Sequence, residues 1–149
     1  MMKIVMLVYL ASNATSAFGC DCAPSSLNEA KAGAEVVFRG TITDIRGGKV
    51  SFRVDRVWKG NLGRNFEMPD FPETSACIGF WPQLLQVGND LLVFAWRLHR
   101  YPGDNEYFTD ICTRTNLASE AGDAFKKLGR GNPPRNSPAP SNNNRQPRK

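Results

Sequence analysis

Residues 35–60 read EVVFRGTITDIRGGKVSFRVDRVWKG. From Glu35 to Ile45 the pattern predicts a strand, with Val36, Phe38 and Ile42 on one face. Arg46-Gly47-Gly48-Lys49 then places two glycines between two alternating runs, which is the signature of a hairpin turn. The return run Val50-Ser51-Phe52-Arg53-Val54-Asp55 is apolar at every second position and continues towards Val57-Trp58-Lys59-Gly60. Two long strands joined so tightly make this an antiparallel β protein, and the rest of the chain is read around them.

Upstream, Ser26-Leu27-Asn28-Glu29 has the spacing of a capping box and opens a short helix through about Ala34. Downstream, a short strand is expected around Asn65–Met68, and Pro69 and Pro72 break the stretch after it. Val87-Gly88-Asn89-Asp90 reads as a turn before a strong strand, Leu91 to Trp96, whose continuous apolar run implies burial. Tyr101-Pro102-Gly103-Asp104-Asn105 is a loop, and Tyr107 to Cys112 a last strand. Asn116 is placed to cap a final helix with Leu117, Ala121, Ala124, Phe125 and Leu128 on one face and Gly129 at its end. The sum is a mostly β chain of five or six antiparallel strands with a short helix near each end. Closure removes exposed sheet edges, so a small closed Greek-key barrel of the OB-like kind fits the length.

The net charge of +5 invites a nucleic-acid reading, but its distribution argues against one. Of the 19 basic residues, five lie at 130–149 and one is Lys3; residues 20–129 therefore hold 13 basic against 14 acidic side chains, a net of −1. A nearly neutral domain lacks the basic face that phosphate binding requires. The basicity belongs to GNPPRNSPAPSNNNRQPRK, a Pro-, Asn- and Arg-rich tail that cannot bury a core and is expected to be disordered from residue 130.

Residues 1–19 have the layout of a secretory signal: basic Met1-Met2-Lys3, an apolar run Ile4–Ala11, then a small and polar stretch to Gly19. The apolar run is too short to span a bilayer, and no other segment is long enough. Cleavage after Ala17-Phe18-Gly19 would make Cys20 the first residue; cleavage after Thr15-Ser16-Ala17 would leave Phe18 first. A lipoprotein reading would acylate Cys20 and anchor the protein, although Ala17 and Phe18 match that signal poorly. The expected location is secreted, extracellular or periplasmic, with lipid anchoring as the alternative. The three domains expected are a signal at 1–19, a folded domain at 20–129 and a tail at 130–149.

Four cysteines, Cys20, Cys22, Cys77 and Cys112, in an exported domain imply disulfides. Three pairings are possible. A Cys20–Cys22 bridge would close a tiny strained ring, so each is expected to reach a distant partner, at about 2–4 kcal/mol of stabilisation per bridge. A structural zinc site is the rival, but Cys77 and Cys112 lack the paired spacing of a zinc knuckle. His99 is the one histidine and reads as a surface residue. There is no G-x-S-x-G, no H-E-x-x-H and no phosphate loop, so no enzyme, no cofactor and no metal of its own are expected. Trp58, Trp81, Trp96, Phe80 and Phe94 read most simply as core, with Phe80-Trp81-Pro82 as a possible contact patch.

Several of these elements together resemble the N-terminal, netrin-like domain of the tissue inhibitors of metalloproteinases, in a smaller, bacterial-type single-domain form. They are Cys20-x-Cys22-x-Pro24, Phe38-x-Gly40, Val50-x-Phe52-x-Val54-x-x-Val57-Trp58-Lys59-Gly60, Thr74-Ser75-Ala76-Cys77, Gly88-x-x-x-Leu92-Val93-Phe94 and Ile111-Cys112. The resemblance covers about residues 20–128, and the cysteine layout is its most specific part. It implies an OB-like barrel with Cys20 paired to Cys77 and Cys22 to Cys112. It also implies that the α-amine and carbonyl of Cys20 chelate the catalytic zinc of a target metalloprotease. Asp21 would face the specificity pocket, with Cys22, Ala23, Pro24, Thr74, Ser75 and Ala76 as further contacts. The partner implied is a zinc-dependent metalloprotease, bound by a monomer.

The chain departs from that family in three respects. Animal inhibitors place Thr or Ser second, where this chain has Asp21, and a carboxylate there meets desolvation and the protease's own glutamate. The third disulfide of the animal inhibitory domain and its C-terminal subdomain are missing. The alternative reading is a non-inhibitory netrin-like binding module at the cell surface or in the extracellular space. A third is a barrel that binds an oligomer such as a sugar or a nucleic acid, nucleic acid being the weakest given the near-neutral domain.

Overall fold

The computed structural model describes residues 20–70, 77–97 and 106–136. The expected leader, the loop residues Thr74, Ser75 and Ala76, His99 and the tail beyond 136 lie outside them. The hairpin forms as two eleven-residue antiparallel strands, β1 (Val36–Arg46) and β2 (Lys49–Lys59). Gly47 and Gly48 join them with φ of 57° and 72°, the left-handed backbone that a tight, right-twisted hairpin turn needs. The register is interrupted at Val37/Phe38, Arg39/Gly40 and Ile42/Asp44. Such irregularities bend and coil a strand, and here they curl the long hairpin towards closure. At the middle one sits Gly40, where a Cβ would stand 3.0 Å from the carbonyl oxygen of Arg53. A side chain at that bend would push the two strands apart.

Around the hairpin, β3 (Asn65–Pro69) pairs with β2 and β4 (Asp90–Arg97) pairs with β1, both antiparallel. The two-residue β5 (Tyr107–Phe108) continues from β4, giving the order β3-β2-β1-β4-β5. A sixth short strand, β6 (Asn116–Leu117), pairs with β4 at Leu91 and Leu92. The seam between β3 and β5 is spanned by the rings of Phe66 and Tyr107, 5.5 Å apart, and by Lys49 and Glu106 at 3.7 Å. The fold is therefore mostly β, a nearly closed five-strand antiparallel barrel with two short helices, as expected for a small OB-like barrel.

Alternation fills the barrel. Phe38, Ile42, Val50, Phe52, Val54 and Met68 are buried inside it with Leu91, Val93 and Ala95. Phe38 packs edge-on against both Phe52 and Phe66 at 5.4 Å, an arrangement favoured by the ring quadrupoles. The alternate residues of β4, Leu92 and Phe94, meet a second apolar cluster with Val37, Leu27, Ala34 and Ala121. That cluster lies under α1 (Leu27–Gly33) and α2 (Gly122–Leu128). Covered on both faces, β4 carries a continuous apolar run instead of an alternating one.

Three expectations change. Asn116 does not cap the last helix: it pairs in β6, its Oδ1 accepts from the Leu117 N–H at 2.8 Å, and α2 begins at Gly122 with no side-chain cap. The open edge of β4 takes the segment that local propensity assigned to a helix. The last strand shortens to β5, because Thr109–Ile111 turns to pair with Cys77–Gly79. The boundary at 129 also moves. Asn132 exchanges two backbone hydrogen bonds with Val57 at 2.8 and 2.9 Å, and the Arg135 N–H donates to the Leu62 carbonyl at 2.7 Å. β3 pairs only with Lys49–Arg53, so the outer backbone of β2 beyond it needs another partner, and the start of the tail provides one.

Candidate functional site

The four cysteines meet at one end of the barrel. The segment Cys77–Gly79 runs antiparallel to Thr109–Ile111: the Gly79 N–H donates to the Thr109 carbonyl at 2.8 Å and the Ile111 N–H to the Cys77 carbonyl at 3.0 Å. Cys77 and Cys112 therefore stand on adjoining segments of one platform. Cys20 is bonded to Cys77 and Cys22 to Cys112, with Cα–Cα separations of 5.7 and 5.0 Å. Two bridges from residues spaced by two lay the segment Cys20–Cys22 across that platform. Cys20 and Cys22 are half-buried, while Asp21, Ala23 and Pro24 are exposed. The outcome is a short cross-linked ridge.

Polar contacts fix the ridge further. Asp110 Oδ1 accepts from the N–H groups of Cys112 at 2.8 Å and Thr113 at 2.6 Å, and the Thr113 hydroxyl donates to the Asp110 carbonyl at 2.8 Å. This is a side-chain-closed turn, built by an Asp that mimics a backbone acceptor. Thr109 and Thr115 anchor the turn to β4: the Thr109 hydroxyl donates to the Phe94 carbonyl at 2.9 Å, and Thr115 Oγ1 accepts from the Phe94 N–H at 3.0 Å. Both threonines are buried, and their hydroxyl oxygens lie 2.8 Å apart, so these hydroxyls are satisfied by each other and by one strand residue.

Beyond Pro24, the Arg114 Nη1 group donates to the Ser25 carbonyl at 2.9 Å. The expected capping box comes next in the chain: the Ser26 N–H donates to Glu29 Oε2 at 2.7 Å, and the Glu29 N–H to Ser26 Oγ at 3.2 Å. The Ser26 backbone N–H, and secondarily its hydroxyl, hold the Glu29 carboxyl below its ordinary range. Residues 20–29 are thus tied down by two disulfides, one arginine and one capping box.

Of the residues singled out from sequence, the structure brings Cys20, Asp21, Cys22, Ala23 and Pro24 together with Cys77 and Cys112. Thr74, Ser75 and Ala76 lie outside the described residues, just before Cys77. Trp81 corrects a core assignment: it is 42% exposed, with its indole N–H donating to the Ile111 carbonyl at 3.1 Å, whereas Phe80 and Phe94 are buried. Trp58 and Trp96 are half-buried. Asp110, Arg114 and the threonines were not anticipated. The spacing Asp110-Ile111-Cys112-Thr113 carried a legible turn signal; Arg114 carried none, since its partner is a carbonyl far away in sequence.

All four cysteines are in disulfides, so none is left to bind zinc as a thiolate. Among the described residues no group of three or more His, Cys, Asp or Glu is placed to hold a metal ion, and no helix is long and apolar enough to cross a membrane. Two disulfides fit an oxidising compartment. Neither a protein-family model nor a curated protein matches the chain.

Proposed function

We propose that this protein is a secreted inhibitor of a zinc metalloprotease, with Cys20 as the zinc-chelating residue. The observation that carries the reading is the ridge: Cys20-x-Cys22 cross-linked at both cysteines to one platform, with Asp21 exposed between them. Cleavage before Cys20 would create an α-amine beside the Cys20 carbonyl. A neutral amine and the adjacent carbonyl oxygen close a five-membered ring on a metal ion. Catalytic zinc keeps an open position for such a ligand, and filling it removes the water that attacks the peptide bond. The two disulfides lower the entropic cost of presenting that pair of atoms. Asp21, Ala23 and Pro24, with Thr74, Ser75 and Ala76, are the contacts this reading assigns to the protease.

The test compares two forms of the protein against a panel of zinc metalloproteases. One begins at Cys20; the other carries one added alanine before it. The expected outcome is inhibition by the first and none by the second. Equal inhibition by both would mean that the amine is not the ligand. One observation favours a second reading, a netrin-like binding module without inhibitory activity: the exposed residue beside Cys20 is a carboxylate, which is costly to bury in a protease subsite. Under that reading neither form inhibits.

A further inference from the structure

Beside the ridge lies a cavity of about 500 Å³, within the size range of small-molecule sites, between the 3₁₀ turn Pro82–Leu84, the segment Thr113–Leu117 and the start of α2. We infer that it is a binding site for a neutral oligosaccharide, with Trp81 as the stacking platform. None of the chemistry it uses involves Cys20, so the site stands or falls apart from the inhibitor reading.

The wall residue Trp81 is one of two large apolar side chains left exposed among the described residues. Its indole N–H is held by the Ile111 carbonyl, so the ring is fixed in orientation while much of it stays open to solvent. A pre-oriented aromatic face of this sort takes the apolar C–H face of a pyranose, because the ring quadrupole is negative above its plane. Leu84, Leu92 and Leu117 give the cavity an apolar floor.

The rim carries Gln83, Arg114, Asn116 and Glu120. These are planar groups with paired donors or acceptors, which match the vicinal hydroxyls of a sugar edge. Among the described residues the side chains of Gln83 and Glu120 make no hydrogen bond or ion pair. Asn116 uses its carbonyl oxygen on the Leu117 N–H, which leaves its amide donors, and Arg114 uses Nη1 on Ser25, which leaves its remaining N–H groups.

Charge and backbone narrow the ligand. One arginine and one glutamate cancel, so the lining selects neither a phosphate chain nor a polyacid. A peptide would want an open strand edge, and the walls offer little of one. The 3₁₀ wall closes on itself, with the Leu84 N–H on the Trp81 carbonyl at 2.9 Å and the Asn89 amide on the Leu84 carbonyl at 3.0 Å; Asn116 and Leu117 pair with β4. Recognition here falls to side chains.

The test uses the disulfide-bonded chain on an array of neutral glycans, followed by titration of each binder under intrinsic tryptophan fluorescence. At least one class of neutral oligosaccharide should bind and perturb the fluorescence. Trp81→Ala should weaken binding roughly tenfold or more, and Trp81→Phe less, as expected for loss of a stacked ring. Glu120→Gln and Gln83→Ala sit on the exposed rim, leave folding alone, and should each weaken binding several-fold. No binding across the array overturns the inference. So does binding that these four variants leave intact, and so does selective capture of peptides or acidic polymers in place of neutral sugars.

Discussion

Between Val36 and Lys59 the hairpin buries Val36, Val37 and Phe38 in a row, then alternate residues such as Val50, Phe52 and Val54, and both strands are paired, whereas between Cys20 and Ser26 no side chain is buried and the backbone joins no strand. The barrel is held by the removal of apolar surface from water. The ridge is held by covalent bridges, by Arg114 on Ser25 and by the turn that Asp110 closes. A segment that buries none of its own side chains takes its rigidity from cross-links and directional polar contacts. The comparison predicts that damage to the barrel abolishes the fold, and that damage to the ridge loosens only one end of it.

The largest effect should come from inside the barrel. Phe38→Ala removes a fully buried ring that packs on Phe52 and Phe66, and should cost about 3–5 kcal/mol in urea unfolding, a large share of a small domain's stability. Next, Cys22→Ser with Cys112→Ser should cost about 2–4 kcal/mol while the far-ultraviolet dichroism keeps its strand signal. Because Cys22–Cys112 closes 90 residues of sequence and Cys20–Cys77 closes 57, loss of the former should be the more severe by about 0.4 kcal/mol. Collapse of the strand signal on removing either bridge would break the distinction between the two regions.

A smaller effect sits at the joint between them. Thr115→Val leaves the buried Phe94 N–H without its side-chain acceptor and should cost about 1–3 kcal/mol in thermal or urea unfolding. The smallest concerns pH. The Glu29 carboxyl is held below its ordinary range by Ser26, so its native state favours the charged form. That contribution is present above the ordinary carboxyl range and is lost as pH falls through the lowered native value. Carbon-detected titration should find Glu29 depressed in the native protein and only partly restored by Ser26→Ala, which removes the hydroxyl but keeps the backbone N–H that lowers it most.

Legibility divides along the same line. Val50, Phe52 and Val54 announced β2 because a half-buried strand must alternate, and Gly47-Gly48 announced the turn because few residues accept its backbone. Ser26 and Glu29 announced the capping box from spacing alone. Asn116 misled, since its propensity to cap a helix was weaker than the need of β4 for an edge partner. The first residues of the tail misled because composition reports the absence of a core and says nothing of a backbone edge that wants pairing. At the ridge the cysteine count predicted bridges but left their partners open; the pairing came from the resemblance. Arg114 and Trp81 owe their roles to neighbours distant in sequence, which no local pattern encodes.

The inhibitor reading requires that the mature protein begin at Cys20, at the tip of the ridge. The most direct measurement is the intact mass of the natively produced protein together with non-reducing peptide mapping of its N-terminus. The expected result is a chain that begins at unmodified Cys20, with Cys20 linked to Cys77 and Cys22 to Cys112. A chain that begins at Phe18, or a lipidated Cys20, would contradict that reading, because neither carries the chelating amine.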